Sequence, residues 1–240
     1  MHLSRCTTPT SLISTSDSLM WVLHKCCRTE AQGRRIVGID GTIAGAHTAV
    51  FHSARFVKEL KKRNMFQARH VRASNDSTKV VNACNCKGLL EYFVYGEIRQ
   101  SAIISTVAFE DIEALVHQSE SVRNFLRMDV FHATNSMRAL SVALSTDKMP
   151  LRRGTGIAIA RLAHLFGLSA LQSRSTLADF IAQMLKKWCI RVIDDDEEIN
   201  VTFRAFARVL GSAVNWTQRQ IVFRELKEVF EETCKSLCRK

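Results

Sequence analysis

Only two prolines, Pro9 and Pro150, interrupt 240 residues. Proline removes a backbone donor and clashes with the preceding helical turn, so a chain nearly free of it can run long helices joined by short turns. Hydrophobic residues make up 46% of the chain and charged residues 24%, enough apolar material to bury a core. From residue 87 onward the apolar residues recur at helical spacing. Leu89, Leu90, Phe93 and Val94 begin one expected helix, and Ser105 or Thr106 caps the next, which carries Phe109, Ile112, Leu115 and Val116. Val122, Phe125, Leu126 and Phe131 mark a third, and Met137, Leu140, Ser141 and Leu144 a fourth. Thr155 opens a helix that is apolar nearly all round and stops at Gly167, the pattern of a central, buried helix.

The strongest helical stripe runs over residues 175–193: Leu177, Phe180, Ile181, Met184, Leu185, Trp188 and Val192, with Thr176 and Asp179 as a capping pair. Asn200 and Asn215 are expected to cap the last two helices. The β signal is confined to Arg35–Ile39 and Lys79–Val81. The expected fold is all-α, an irregular bundle or short helical-repeat array of about seven to nine helices. The expected divisions are residues 1–50 as presequence and irregular segment, 51–86 as basic helix and linker, and 87–240 as helical domain.

The first 29 residues hold ten Ser or Thr, three basic residues (Arg5, Lys25, Arg28) and one acid, Asp17. Such a hydroxyl-rich, basic, acid-poor stretch reads as a mitochondrial import signal that builds no core, with roughly 30–50 residues removed and the mature protein in the matrix rather than the intermembrane space. His2 and His24 would leave with it. No run approaches the about 18 apolar residues of a membrane-spanning helix. The eight cysteines are scattered and are expected to be reduced thiols rather than a disulfide framework.

The charge is uneven. Residues 1–80 hold 13 Lys and Arg against 5 Asp and Glu, a net of +8, while residues 81–240 hold 21 against 18, a net of +3. A basic arm on a near-neutral body points to a polyanionic partner. Its densest part offers Arg55, Lys58, Lys61, Lys62, Arg63, Arg69, Arg72 and Lys79, with Phe56, Phe66 and His70 interleaved. Phosphates need cations at several points along a track, and exposed rings stack on unpaired bases. The candidate nucleic-acid-binding residues are therefore Arg55, Lys58, Lys61, Lys62, Arg63, Phe66, Arg69, Arg72 and Lys79.

Other motifs are incomplete. Gly38-Ile-Asp-Gly41-Thr-Ile-Ala-Gly45 lacks the Gly-Lys-Ser/Thr of a phosphate loop. Cys84 and Cys86 are too close for a zinc knuckle, and Cys234 and Cys238 read as one face of the last helix. The acidic segment Val192–Phe206 resembles an EF-hand loop. Its departures are Val192 at the first position, Glu197 where glycine is needed and Phe203 in place of the bidentate Glu, so a solvated acidic turn is the simpler reading. No nucleophile elbow, zinc-protease helix or paired-acid signature occurs. No catalytic residue, metal or cofactor is expected. The function expected is a non-enzymatic component of a mitochondrial RNA–protein assembly, a mitoribosome or RNA-processing complex, with RNA and neighbouring subunits as partners and no membrane span. The alternative is an accessory subunit of a respiratory or ATP-synthase complex.

Overall fold

The computed structural model describes residues 12–29, 32–63, 69–72, 78–81, 91–168, 174–192, 196–211 and 216–238. The chain opens with β1 (Leu12–Ser16), α1 (Leu19–Cys27), β2 (Arg35–Ile39), α2 (Gly41–His47), β3 (Val50–His52) and α3 (Ser53–Lys62). It continues through β4 (Arg69–Arg72), β5 (Thr78–Val81), β6 (Glu91–Tyr95), a 3-10 turn at Gln100–Ala102 and β7 (Ile103–Ala108). The rest is helical: α4 (Phe109–Gln118), α5 (Glu120–Leu126), α6 (Met128–Ala133), α7 (Met137–Thr146), α8 (Arg153–Leu165), α9 (Arg174–Lys187), α10 (Asp196–Leu210) and α11 (Trp216–Cys238).

The described residues are mostly helical, and they also carry small sheets, which corrects the all-α expectation. Residues 93 and 94 do not start a helix. They lie in β6, the central strand of a sheet ordered β1-β6-β3, antiparallel on both sides. Tyr92, Phe93, Val94 and Tyr95 are aromatic or β-branched residues that suit a pleated surface, and cross-strand partners hold them there. Ser105 and Thr106 likewise belong to β7, which pairs with β2, among the β-branched Ile103, Ile104 and Val107. Leu89 and Leu90 lie outside the described residues.

The chain divides into two compact units, one of Met1–Leu19 with Asp40–Ile103, the other of Met20–Ile39 with Ile104–Lys240. In the first, β1 and β3 flank β6, so segments separated in the sequence reading at residues 50 and 86 share one sheet. The α3 helix packs through half-buried Phe56, whose ring lies 5.4 Å from Phe51 and 6.1 Å from Phe93. Asp40 caps α2, its carboxylate accepting from the backbone N–H groups of Thr42 and Ile43 at 2.9 and 3.1 Å.

In the second unit the segment read as a leader is part of the core. Met20, Leu23 and His24 of α1 are buried, and Leu23 is 1% exposed. The His24 Nε2–H donates to the Thr134 carbonyl at 3.1 Å. Arg34 donates to the carbonyls of Cys26 and Thr29 just past the end of α1, and its guanidinium lies 4.4 Å from the Phe109 ring centre. The composition of residues 1–29 hid one amphipathic turn pattern, Met20-x-x-Leu23-His24, which is enough to dock a nine-residue helix.

The apolar helix α8 packs most extensively on α10. Ala158, Ile159, Ala160, Leu162 and Ala163 of α8 and Ile199, Phe203 and Phe206 of α10 are buried. Thr155 sits in the first turn, its hydroxyl accepting from the Arg152 N–H at 3.3 Å. Gly167 ends the helix at φ +65°, with its own N–H and that of Leu168 returning to the carbonyls of His164 and Ala163. At the crossing, Gly156 has no room for a methyl group: a Cβ there would stand 2.1 Å from the Thr202 carbonyl oxygen. Trp188 is buried with Phe125 and Phe131 stacked beside it at 5.6 and 6.4 Å. The stripe expected over 175–193 forms α9 but stops at Lys187, and Cys189 at φ +51° turns the chain. The α10 helix begins at Asp196 rather than Asn200. Three acids, Asp196, Glu197 and Glu198, occupy its first turn, where the helix dipole favours them, so most of the expected acidic turn is helix. Asn200 lies inside it and donates back to the Asp196 carbonyl at 2.7 Å. Asn215 and Asp194 lie outside the described residues.

Candidate functional site

The basic segment is organised by α3, whose hydrophobic anchor is Phe56. With 3.6 residues per turn, Arg55, Lys58 and Lys62 fall on one stripe on the side of the helix away from Phe56. All three are exposed, as is Arg63 just past the helix. Glu59 is drawn to the stripe: Lys62 Nζ donates to its carboxylate at 2.8 Å. That hydrogen bond, helped by the charges of Lys62, Arg63 and Lys58, holds the Glu59 carboxyl below its ordinary range. Between two exposed side chains such a pair is worth little, so Lys62 can exchange Glu59 for a phosphate at small cost. Lys61 also occupies the helix.

The remaining expected residues fall on a different element. Arg69 and Arg72 lie on β4 and Lys79 on β5, in one antiparallel hairpin with Arg69 opposite Val81, Val71 opposite Lys79 and Arg72 opposite Thr78. Phe66 lies outside the described residues. The expected set is thus split between one helix and one hairpin.

Two features next to α3 escaped the sequence reading. The first is aromatic. Phe51 is opposite Phe93 in the register, so both stand on the sheet face that α3 covers, and Tyr95, two residues beyond Phe93, shares it. Phe51 is 36% and Tyr95 58% exposed. Beside Tyr95 lies a cleft of about 180 Å³ lined among others by Ile43, His47, Glu97 and Arg99. The second is a polar row on the opposite face, where Thr15, Tyr92 and His52 are register partners. The Tyr92 hydroxyl stands 3.5 Å from the Asp17 carboxylate, and its ring meets His52 edge-on at 5.1 Å. The Nδ1 atom of His52 is buried and has no hydrogen-bond partner among the described residues. The signal for both was the aromatic and β-branched run Tyr92-Phe-Val-Tyr95, which reads equally as a turn of helix until its partners are known.

Among the described residues no group of three or more His, Cys, Asp or Glu is placed to hold a metal ion. Among them, too, no helix is long and apolar enough to cross a membrane. Residues 1–112 are similar to a domain family of unknown function, DUF7587. The similarity begins at Met1, spans the whole first unit with β2 and β7, and ends within α4. No curated protein matches the chain, and neither does any solved structure.

Proposed function

We propose that the chain is a non-enzymatic, RNA-associated component of a mitochondrial RNA–protein assembly, a mitoribosome or an RNA-processing complex, and that it binds RNA phosphates through α3. The observation that carries the reading is the stripe of Arg55, Lys58 and Lys62, exposed on a helix whose other side is anchored by Phe56. A rigid helix presents cations at fixed spacing, and each phosphate they neutralise releases counterions. The hairpin cations Arg69, Arg72 and Lys79 extend the same charge along the chain. The helices of the second unit, an irregular bundle around α8, offer faces to neighbouring subunits.

The mitochondrial address rests on the composition of residues 1–29. A fold that keeps β1 and α1 calls for an import signal that is cleaved before Leu12 or not at all. A reporter fused to residues 1–50 should enter mitochondria, and the full chain imported there should keep its length to within about a dozen residues. A cytosolic reporter would remove the address.

Salt dependence tests the RNA reading. For single-stranded RNA each phosphate contact contributes roughly 0.7 to the slope of log affinity against log salt. Changing Arg55, Lys58 and Lys62 together to Gln should flatten that slope by about 2 and weaken all sequences alike, because phosphate contacts position without specifying. An unchanged slope would refute it. A second reading, a small-molecule enzyme, is favoured by the polar row on the other sheet face, where buried His52 Nδ1 has no partner among the described residues. Saturable thermal stabilisation by a metabolite, lost in His52→Phe with RNA binding intact, would select that reading.

A further inference from the structure

Resting on the RNA reading above, the geometry points to a stacking platform at Tyr95 and Phe51, and we propose that the ligand is single-stranded RNA whose unpaired bases lie on that face. Tyr95 is more than half exposed, in the middle strand of the sheet, a place where an aromatic ring is normally covered. It stands on the face that α3 partly covers. Phe93, 6.1 Å from Phe56 of α3, is two residues before it, and two residues of strand advance the chain by about 7 Å. Tyr95 therefore stands about 7 Å along the strand from the ring that α3 packs against. Phe51, 5.4 Å from Phe56, continues the apolar surface toward the helix.

This juxtaposition suits a single strand and not a duplex. A paired helix offers its outer phosphates but keeps its base faces stacked inside, so exposed rings add nothing to binding it. A single strand presents a π-face and a phosphate at each step, and takes up rings and cations together. An anionic membrane surface would be met by the cations alone. The cleft beside Tyr95 adds edge contacts: the His47 imidazole, the Glu97 carboxylate and the Arg99 guanidinium supply donors and acceptors around a base resting on the ring.

The experiment uses the full chain and two fluorescent RNAs of one sequence, single-stranded and annealed to its complement, with titrations at several salt concentrations. Tyr95→Leu keeps an apolar side chain of moderate size at an exposed position. It should weaken single-strand binding about tenfold, leave duplex binding unchanged and leave the salt slope unchanged. Tyr95→Phe should bind as the parent does, because the ring and not the hydroxyl stacks. Phe51→Leu should weaken single-strand binding in the same sense. The inference is overturned if Tyr95→Leu binds the single strand like the parent, if it weakens single strand and duplex equally, or if the parent prefers duplex RNA or anionic phospholipid vesicles to the single strand. In the first case an intact effect of the Arg55, Lys58 and Lys62 changes on slope leaves phosphate binding standing, so the two proposals fail separately.

Discussion

Replacing Gly156 by alanine should destabilise the second unit, against the ordinary trend for glycine inside a helix. In an open helix interior, alanine is better than glycine by about 1 kcal/mol. Here the new methyl carbon would stand 2.1 Å from the Thr202 carbonyl oxygen and 3.1 Å from the Phe206 amide nitrogen, both backbone atoms of α10. Ordinary contact starts near 3.4 Å, so the two helices must part by about 1.3 Å, the difference between 3.4 and 2.1. No side-chain rotation relieves a clash with backbone. The shift loosens the buried packing of α8 on α10, and overpacking of this kind costs about 3 kcal/mol. The net loss is about 2 kcal/mol, which for a chain of this size lowers the melting temperature by roughly 4–8 °C. Gly154→Ala in the same helix is the control. Its methyl would meet Ser121 Oγ at 3.7 Å, an ordinary contact, and stability should hold within about 1 kcal/mol. Guanidinium unfolding followed by circular dichroism reads both. If Gly156→Ala proved as stable as Gly154→Ala, α8 and α10 would not cross at this glycine.

Other expectations follow from burial. Phe206 is fully buried and Phe180 only in part, so Phe206→Ala should cost about 3–5 kcal/mol in denaturant unfolding and Phe180→Ala clearly less; equal costs would contradict the placement of α9. Gly167→Ala should cost about 1 kcal/mol, since alanine is strained at φ +65°, and an unchanged melting temperature would count against the left-handed cap. Burial, reinforced by the neighbouring Cys26 and Glu113, pushes the Cys27 thiol up to about 11. Because the thiolate is the nucleophile, its alkylation, followed by mass spectrometry, should keep accelerating between pH 9 and 11; a plateau at pH 9 would show an ordinary, solvated thiol.

The helices after Phe109 were legible because their apolar residues repeat at 3.6, and α8 stops at a local signal, Gly167; the start of α10 was hidden, because Asp196, Glu197 and Glu198 read equally as a solvated turn. Boundaries moved where the local signal was ambiguous. Arg127 at φ +52° divides the expected third helix into α5 and α6, and nothing in its sequence neighbourhood announces a left-handed residue. The strands were less legible for a different reason. Leu89, Leu90, Phe93 and Val94 satisfy a helical template, and only partners at residues 12–16 and 50–52 turn the last two into strand. One of those partners, Leu12–Ser16, lies in a hydroxyl-rich stretch whose composition resembles a leader more than a strand. The basic half of the candidate site was visible as composition. Its aromatic half was not, because exposure of Tyr95 depends on what the sheet leaves uncovered.

The strand order β1-β6-β3 sets a timetable for synthesis. Thr15 and the Tyr92 carbonyl it bonds are 77 residues apart, and the strand between the two outer ones is the last of the three to be made. On a ribosome, β1 and β3 emerge with no partner, and the sheet closes only when β6 follows. Non-local pairing of this kind is slow and leaves strand edges exposed while it waits. The same delay leaves Leu12–Ser16 unpaired until Glu91–Tyr95 is made. Two strand edges therefore wait on one late strand, and whatever slows the synthesis of β6 prolongs their exposure.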